Sequence, residues 1–195
     1  MRIRIYILFF ALMLIMLLHT ANAESEQDSE YNVKAAFVYN FIKFIDWPEN
    51  KLSDENTIGI GIIGENPFGE AFDPIENKQI RNKKIVIKLF KSLEESKLTS
   101  KQVDNIRKCY VLFVCKSEKK QFKKIIDLIK EYNVLTVGDT SGFLESGGII
   151  DFLIENQKVC FEVNNYNAKQ AKLNIRSQLL RLAKNVVEEE DKGGN

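Results

Sequence analysis

The chain has 195 residues, with 28 Lys and Arg against 27 Asp and Glu, and its one histidine is His19. That balance argues against a nucleic-acid binder, which would gather a basic face to displace counterions. The length fits one domain with an apolar core of its own.

Arg2 and Arg4, the apolar run Ile5 to Leu18 and Ala21-Asn22-Ala23 predict a signal peptide over residues 1–23, cut after Ala23. The apolar run has fourteen residues, short of the roughly 20 that a membrane-spanning helix needs. No cysteine follows the cut, which argues against a lipid anchor. The product is expected to be exported and soluble, and periplasmic where the host has two membranes. Loss of Arg2 and Arg4 leaves 26 basic and 27 acidic side chains, and loss of His19 leaves no imidazole for catalysis or zinc binding.

Residues 24–30 are polar and aperiodic, a flexible leader. From Tyr31, Val33, Ala36, Phe37, Phe41, Phe44 and Ile45 recur at helical spacing until Trp47-Pro48 stops the helix. Thr57 to Gly64 and Lys84 to Phe90 read as strands, with a short helix from Pro67 to about Glu76 between them. Ser92 to Lys108 is predicted to hold another short helix. Cys109 to Cys115 is apolar on both faces, as a central strand covered by helices would be. Lys119 to Tyr132 reads as an amphipathic helix with Phe122, Ile125, Ile126 and Ile129 inward, and Val134 to Val137 as a strand. After the glycine-rich Gly138 to Gly148, Ile149 to Ile154 and Lys158 to Val163 form a predicted hairpin about Glu155-Asn156-Gln157. Leu173, Leu179, Leu180, Leu182 and Ala183 predict a long last helix over about 168–187, and 188–195 a solvated tail. The expected fold is α/β: a single three-layer domain over 31–187, its largely parallel sheet flanked by helices, with a C-terminal antiparallel hairpin and a long last helix.

Export permits disulfides, but Cys109 and Cys115 sit at opposite ends of one predicted strand, about 20 Å apart. Bridged Cα atoms lie within about 7 Å. Any intrachain bridge therefore pairs Cys160 with Cys109 or Cys115; the alternative is three small buried side chains.

Gly59-Ile60-Gly61-Ile62-Ile63-Gly64 spells the dinucleotide fingerprint, but its glycines fall inside a strand rather than in the turn after it, and no acid ends the second strand. They are read instead as small residues that let a neighbouring helix approach the sheet closely. Asp139 follows a strand at its carboxyl end, where α/β proteins build their sites, with Thr140, Ser141 and Glu145 nearby. A serine there lacks both histidine and an S-x-x-K lysine. Asp139 is read as a loop-capping carboxylate. No catalytic set, cofactor site or metal site is expected.

Tyr31-Asn32-Val33-Lys34-Ala35-Ala36-Phe37-Val38-Tyr39-Asn40-Phe41 with Phe44 and Trp47-Pro48 resembles the opening of the YfiR-like family. Pro67-Phe68-Gly69, Cys109 with Val111-Leu112-Phe113, Val134 to Asp139, Phe143, Gly147 to Ile150, Phe161 to Asn164 and Leu179 to Ala183 are similar to its later blocks, in order. The resemblance implies a periplasmic α/β protein that is not an enzyme. It would repress an inner-membrane diguanylate cyclase by binding the cyclase's periplasmic sensor domain, lowering cyclic-di-GMP and biofilm formation. It also implies homodimerisation and sequestration by an outer-membrane lipoprotein. In some members a first-strand cysteine pairs with the one matching Cys109; Gly61 stands at that position here. The family's partner-binding region matches Asn164 to Arg181, which marks Leu173, Ile175, Arg176 and Leu179 as candidate contacts. The aromatic first helix, with Phe37, Phe41, Phe44 and Trp47, is a rival patch read mainly as core. A periplasmic small-molecule binding module, with Gly138 to Gly148 as its mouth, is the alternative.

Overall fold

The structure is a computed structural model that describes residues 29–53, 56–93 and 98–189. The expected signal peptide, nearly all of the leader and the end of the tail lie outside the described residues.

Helix α1 covers residues 29–44 and runs into the two-residue strand β1 (Ile45–Asp46), then α2 (Glu49–Ser53). Next come β2 (Thr57–Ile63), β3 (Gln79–Ile80), β4 (Lys83–Phe90) and α3 (Ser100–Arg107). Strand β5 (Val111–Val114) leads through a 3-10 turn at Lys116–Gln121 into α4 (Phe122–Ile129) and β6 (Leu135–Gly138). The chain ends with β7 (Ile150–Glu155), β8 (Lys158–Asn164), α5 (Asn165–Gln170), β9 (Asn174–Ile175), α6 (Ser177–Leu180) and β10 (Asn185–Val187).

One eight-stranded sheet runs β10-β8-β7-β6-β5-β2-β4-β3. Its centre, β4-β2-β5-β6-β7, is parallel; β7 and β8 form the expected antiparallel hairpin, and β3 pairs antiparallel with β4. All four β5 residues are buried because both faces are covered. One face packs Ile58, Ile60, Ile62, Val111, Phe113, Leu135 and Val137 under α1 and the C-terminal segments. The other packs Ile63, Leu112 and Val114 against Ile106 of α3, Phe122, Ile125, Ile126 and Ile129 of α4, and Phe143. Helix α1 spans the first face: Phe37 and Phe41 stack on Phe152 and Phe161 of the hairpin, with ring centroids 5.1–6.0 Å apart.

Two predicted helices do not form. Residues 69–77 make successive turns, the chain bending at Gly69 with φ +51°, and bury Phe72 and Ile75 without a continuous helix. The expected long last helix is broken into α5, β9, α6 and β10. Lys172 takes the left-handed region at φ 56°, which ends α5. Ile175 then pairs with Ile45 and Asn174 with Asp46 in a β1–β9 clasp. Asn185–Val187 gain a ladder beside β8. The leucines recur at helical spacing, but Leu173, Ile175 and Leu179 reach one core from short elements that change direction, while Leu182 is 68 % exposed. Glu188 is held back to the domain, accepting from Asn165 and Lys169 at 3.0 and 2.7 Å.

The clasp is knotted by Asp46, which takes Arg176 bidentately at 3.1 and 2.7 Å and Arg81 at 3.2 Å. The Arg176 hydrogen bond lowers the Asp46 pKa, so this tie stabilises above the ordinary carboxylate range and fades as Asp46 protonates in acid.

Gly59 and Gly61 lie within β2, as expected, but what fills their space is not a helix. A Cβ at Gly61 would stand 2.9 Å from Leu112 Cδ1 and Phe90 Cε2 and 3.0 Å from Cys109 Sγ. The three cysteines are thiols in the structure, and β8, which carries Cys160, lies three strands from β5, about 14 Å away at roughly 4.8 Å per strand. The Cβ to Sγ spacing at Gly61 is that of a bridged pair. A Gly61→Cys variant is thus expected to oxidise with Cys109, so that thiol titration of the unfolded protein counts two thiols where four cysteines are encoded; a count of four would show that Leu112 and Phe90 do not yield.

Candidate functional site

The carboxyl ends of β2, β5 and β6 form the edge where a parallel sheet ordinarily receives a ligand, with the switch point between β2 and β5. Here that edge is occupied by the chain itself. At the switch point, Gly64 leaves β2 with φ +100° and a missing Cβ whose place is crowded by Ser117 Oγ and Glu118 Cγ, at 2.4 and 3.0 Å. Ser117 Oγ accepts the Glu65 N–H at 3.0 Å, and the fully buried Glu118 carboxylate accepts the Leu93 N–H at 3.0 Å.

One strand over, Asp139 ends β6 and receives the first turns of α1. Its Oδ2 accepts from Lys34 Nζ at 2.7 Å and Tyr31 OH at 2.8 Å, while Oδ1 accepts from Thr140 Oγ1 at 3.3 Å. The Lys34 and Asp139 side chains are 4 % and 6 % exposed. Lys34 also pairs with Glu30, one turn back, and lies 4.3 Å from the Tyr31 ring centroid. Tyr31 meets Phe68 edge-on at 5.1 Å, and Phe68 meets Phe113 of β5 at 4.7 Å, so the charged knot sits on an aromatic floor. Helical spacing sets Tyr31 and Lys34 on one face of α1; the strand end presents Asp139 to them. Asp139 is therefore the anchor of a helix, a larger role than the loop cap read from sequence.

The chemistry left to this cluster is slight. Burial, then the Asp139 charge, push the Tyr31 hydroxyl well above its ordinary value, so it stays a donor. Burial, then Asp139, Glu118 and Glu65, do the same to the Cys115 thiol and deny it the thiolate of a nucleophile. Ser141 receives Lys119 Nζ at 3.3 Å, a serine–lysine approach that sequence spacing did not show, but both side chains are exposed. Asp151 lies on β7 nearby. Burial raises it to about 7, against the opposing hydrogen bond from the Thr140 N–H at 3.2 Å and with help from the Asp139 charge. Glu162, its cross-strand neighbour, and the exposed Glu145 share a shallow hollow with it.

The predicted partner contacts separate. Leu173, Ile175 and Leu179 are 2 %, 5 % and 2 % exposed and pack in the core; of the four, only Arg176 reaches solvent, held by Asp46. On the rival patch Phe41 and Trp47 are core, as favoured, and Phe37 and Phe44 pack against it. A larger hollow that the sequence did not reveal, about 550 Å³, opens at the opposite edge of the sheet among Lys51, Arg107, Tyr110 and Tyr132. Its signal is dispersed over four elements, and only the topology gathers it.

The family model described as YfiR/HmsC-like matches residues 31–184. Comparison with curated proteins finds no match. Among solved structures, the chain is similar to a conserved domain protein from Vibrio cholerae O1 biovar El Tor, with TM-score 0.53 and 10 % identity over 80 % of this chain. It is also similar to the ABC domain in complex with L-Trp from Streptococcus pneumonia, with TM-score 0.51 and 11 % identity over 68 % of this chain. The chain spans 60 % and 56 % of those two proteins. At such identity the likeness speaks to fold alone.

Two outcomes follow from the cluster. Asp139→Ala takes the buried partner from the Lys34 ammonium and leaves it the partly exposed Glu30, and is expected to cost about 3 kcal/mol in chemical denaturation. Lys34→Met with Asp139→Leu removes both charges and should recover most of that loss; a double variant as weak as the single would show that the pair is not the cause. For Asp151, the folded pKa lies above the unfolded one, so the folded state holds the proton longer and stability falls as pH rises from about 4 to about 7. Asp151→Asn should flatten that fall in thermal melts while leaving the acid end unchanged.

Proposed function

The chain belongs to the YfiR/HmsC-like family, and from that premise we propose that it represses an inner-membrane diguanylate cyclase by binding the cyclase's periplasmic sensor domain. The family implies a periplasmic regulator in cyclic-di-GMP signalling that acts through a membrane signalling protein and is regulatory rather than catalytic. Among the described residues no helix is long and apolar enough to cross a membrane. The observation that carries the reading is the closed sheet edge: Ser117 and Glu118 fill the switch point, and Tyr31 and Lys34 consume Asp139. With the edge plugged by its own side chains, the protein acts through its outer surface. Stoichiometric binding of that kind lowers cyclic-di-GMP and biofilm formation without turnover. Homodimerisation and capture by an outer-membrane lipoprotein complete the proposed cycle.

Of the candidate contacts in Asn164 to Arg181, Arg176 is the exposed one, and Leu182, just beyond the region, is 68 % exposed. An exposed leucine at the end of a segment whose exposed side chains are polar has the makeup of an interface anchor with a polar rim.

A second reading, a small-molecule binding module, is favoured by the hollow at Lys51, Arg107, Tyr110 and Tyr132. Its walls add Lys108, Asp104 and Glu131, and this mixed charge beside two tyrosine rings suits a small polar ligand. Such a ligand would alter repression only by binding the free and complexed forms with different affinity.

The test is capture of a diguanylate cyclase from solubilised inner membranes by residues 24–195. Leu182→Glu is expected to reduce capture at least about tenfold, the loss of one interface anchor, with an unchanged melting temperature. A folded protein that captures no cyclase overturns the repressor reading; undiminished capture by Leu182→Glu moves the surface elsewhere.

A further inference from the structure

Beyond the short β3, one edge of the sheet carries a built-in preference for what covers it. Strand β4 bonds β2 on its inner side through its even-numbered residues: Lys84 N–H reaches Asn56 O, and Phe90 O accepts from Gly64 N–H. In a parallel ladder the odd-numbered residues then point their N–H and C=O outward. Ile85 is satisfied there, donating to Lys78 O and accepting from Asn77 N–H. The β3 pairing stops at Lys84. Beyond it, Ile87 and Leu89 present two successive outward rungs with no backbone partner among the described residues. Leu89 is 64 % exposed and stands over a shallow hollow formed with Gly64, Glu65 and Phe90 to Ser92.

The charge on the edge segment itself has one sign. From Lys78 to Lys91 the chain carries Lys78, Arg81, Lys83, Lys84, Lys88 and Lys91 and no acid, although the whole chain is near neutral. Two copies joined β4 to β4 would face these lysines with their own kind, which destabilises cross-strand pairs. Lysine on an open edge is also a common guard against self-pairing.

We propose that the Ile87–Leu89 edge of β4 accepts an added strand from a partner protein, an extended acidic segment whose alternate apolar side chains pack on Leu89. Main-chain rungs supply the affinity and the basic stretch selects the acidic partner. This inference rests on the edge geometry and stands whether or not the membrane partner is a cyclase.

The probe is a capped peptide alternating Glu with Val and Thr, added to residues 24–195. Saturating peptide should slow amide exchange at Ile87 and Leu89 at least about tenfold, as new ladder bonds would, and Leu89→Pro, which removes one outward N–H at an edge that tolerates proline, should weaken binding by about tenfold. The same peptide N-methylated on the residues facing the edge should fail against the unaltered protein, which keeps the test decisive if the proline variant misfolds. Unchanged exchange at Ile87 and Leu89, equal binding of the N-methylated peptide, or equal binding of a peptide with Lys for Glu would each overturn the proposal. Protection that appears without peptide and grows with protein concentration would assign the edge to a second copy.

Discussion

The fold depends on one buried ion pair at one end of α1 and one surface knot at the other. Lys34 is taken from water almost completely, and an ammonium in that position is tolerable only with a counterion and good hydrogen bonds. Asp139 supplies the charge, and Tyr31 fills the second direction at the same oxygen. At the far end Ile45 pairs with Ile175, and Asp46 gathers Arg176 and Arg81 from the last third of the chain and the β3–β4 turn. Between the two ties the Phe37 and Phe41 rings lie on Phe152 and Phe161, so the helix fixes the β7–β8 hairpin to the rest of the sheet. The pair is demanding rather than generous: its value lies in the high cost of half of it, which leaves α1 one register on the sheet.

The same arrangement explains why an α/β sheet with a clear switch point has no open crevice there. A ligand site at a strand end needs backbone donors or a charged side chain left over after folding. Here Ser117 takes the Glu65 N–H, Glu118 takes the Leu93 N–H, and Asp139 is shared by three donors. Asp151 escapes, and it does so because burial without a cation keeps its proton into the neutral range.

Much of this was legible in the sequence, and the boundary of legibility is physical. Val111 to Val114 announces a central strand because apolar residues on both faces leave few alternatives, and the alternation in Ile150 to Val163 announces the hairpin. The segment after Asn164 misled because a leucine every three or four residues describes a helix face and equally a set of short elements entering one core. Propensity could not choose, and the left-handed Lys172 together with the Ile45 pairing decided the matter through tertiary structure. The same ambiguity left Leu173 and Ile175 evenly open between core and contact surface. Asp139 was legible as a strand-end carboxylate, but its partner lies 105 residues earlier, a separation that only the sheet order closes.

A regulator that works by binding must have surfaces whose exposure matters more than their chemistry, and the position of α1 bears on this. The helix joins the plugged sheet edge, the β1–β9 clasp and the aromatic face of the hairpin in one rigid span. The segment from Asn174 to Leu182 is fastened to that span by two rungs of β ladder and the Asp46 knot, while its core residues are held by packing. A protein that docks on Arg176 and Leu182 therefore meets a surface whose shape is set by α1. A partner gripping this segment more tightly in a displaced form would have to break the Asp46 knot, which is exposed and screened by solvent, before it reached the far costlier Lys34–Asp139 tie. The ordering of those costs makes the clasp the compliant end of the helix and the sheet edge the fixed one.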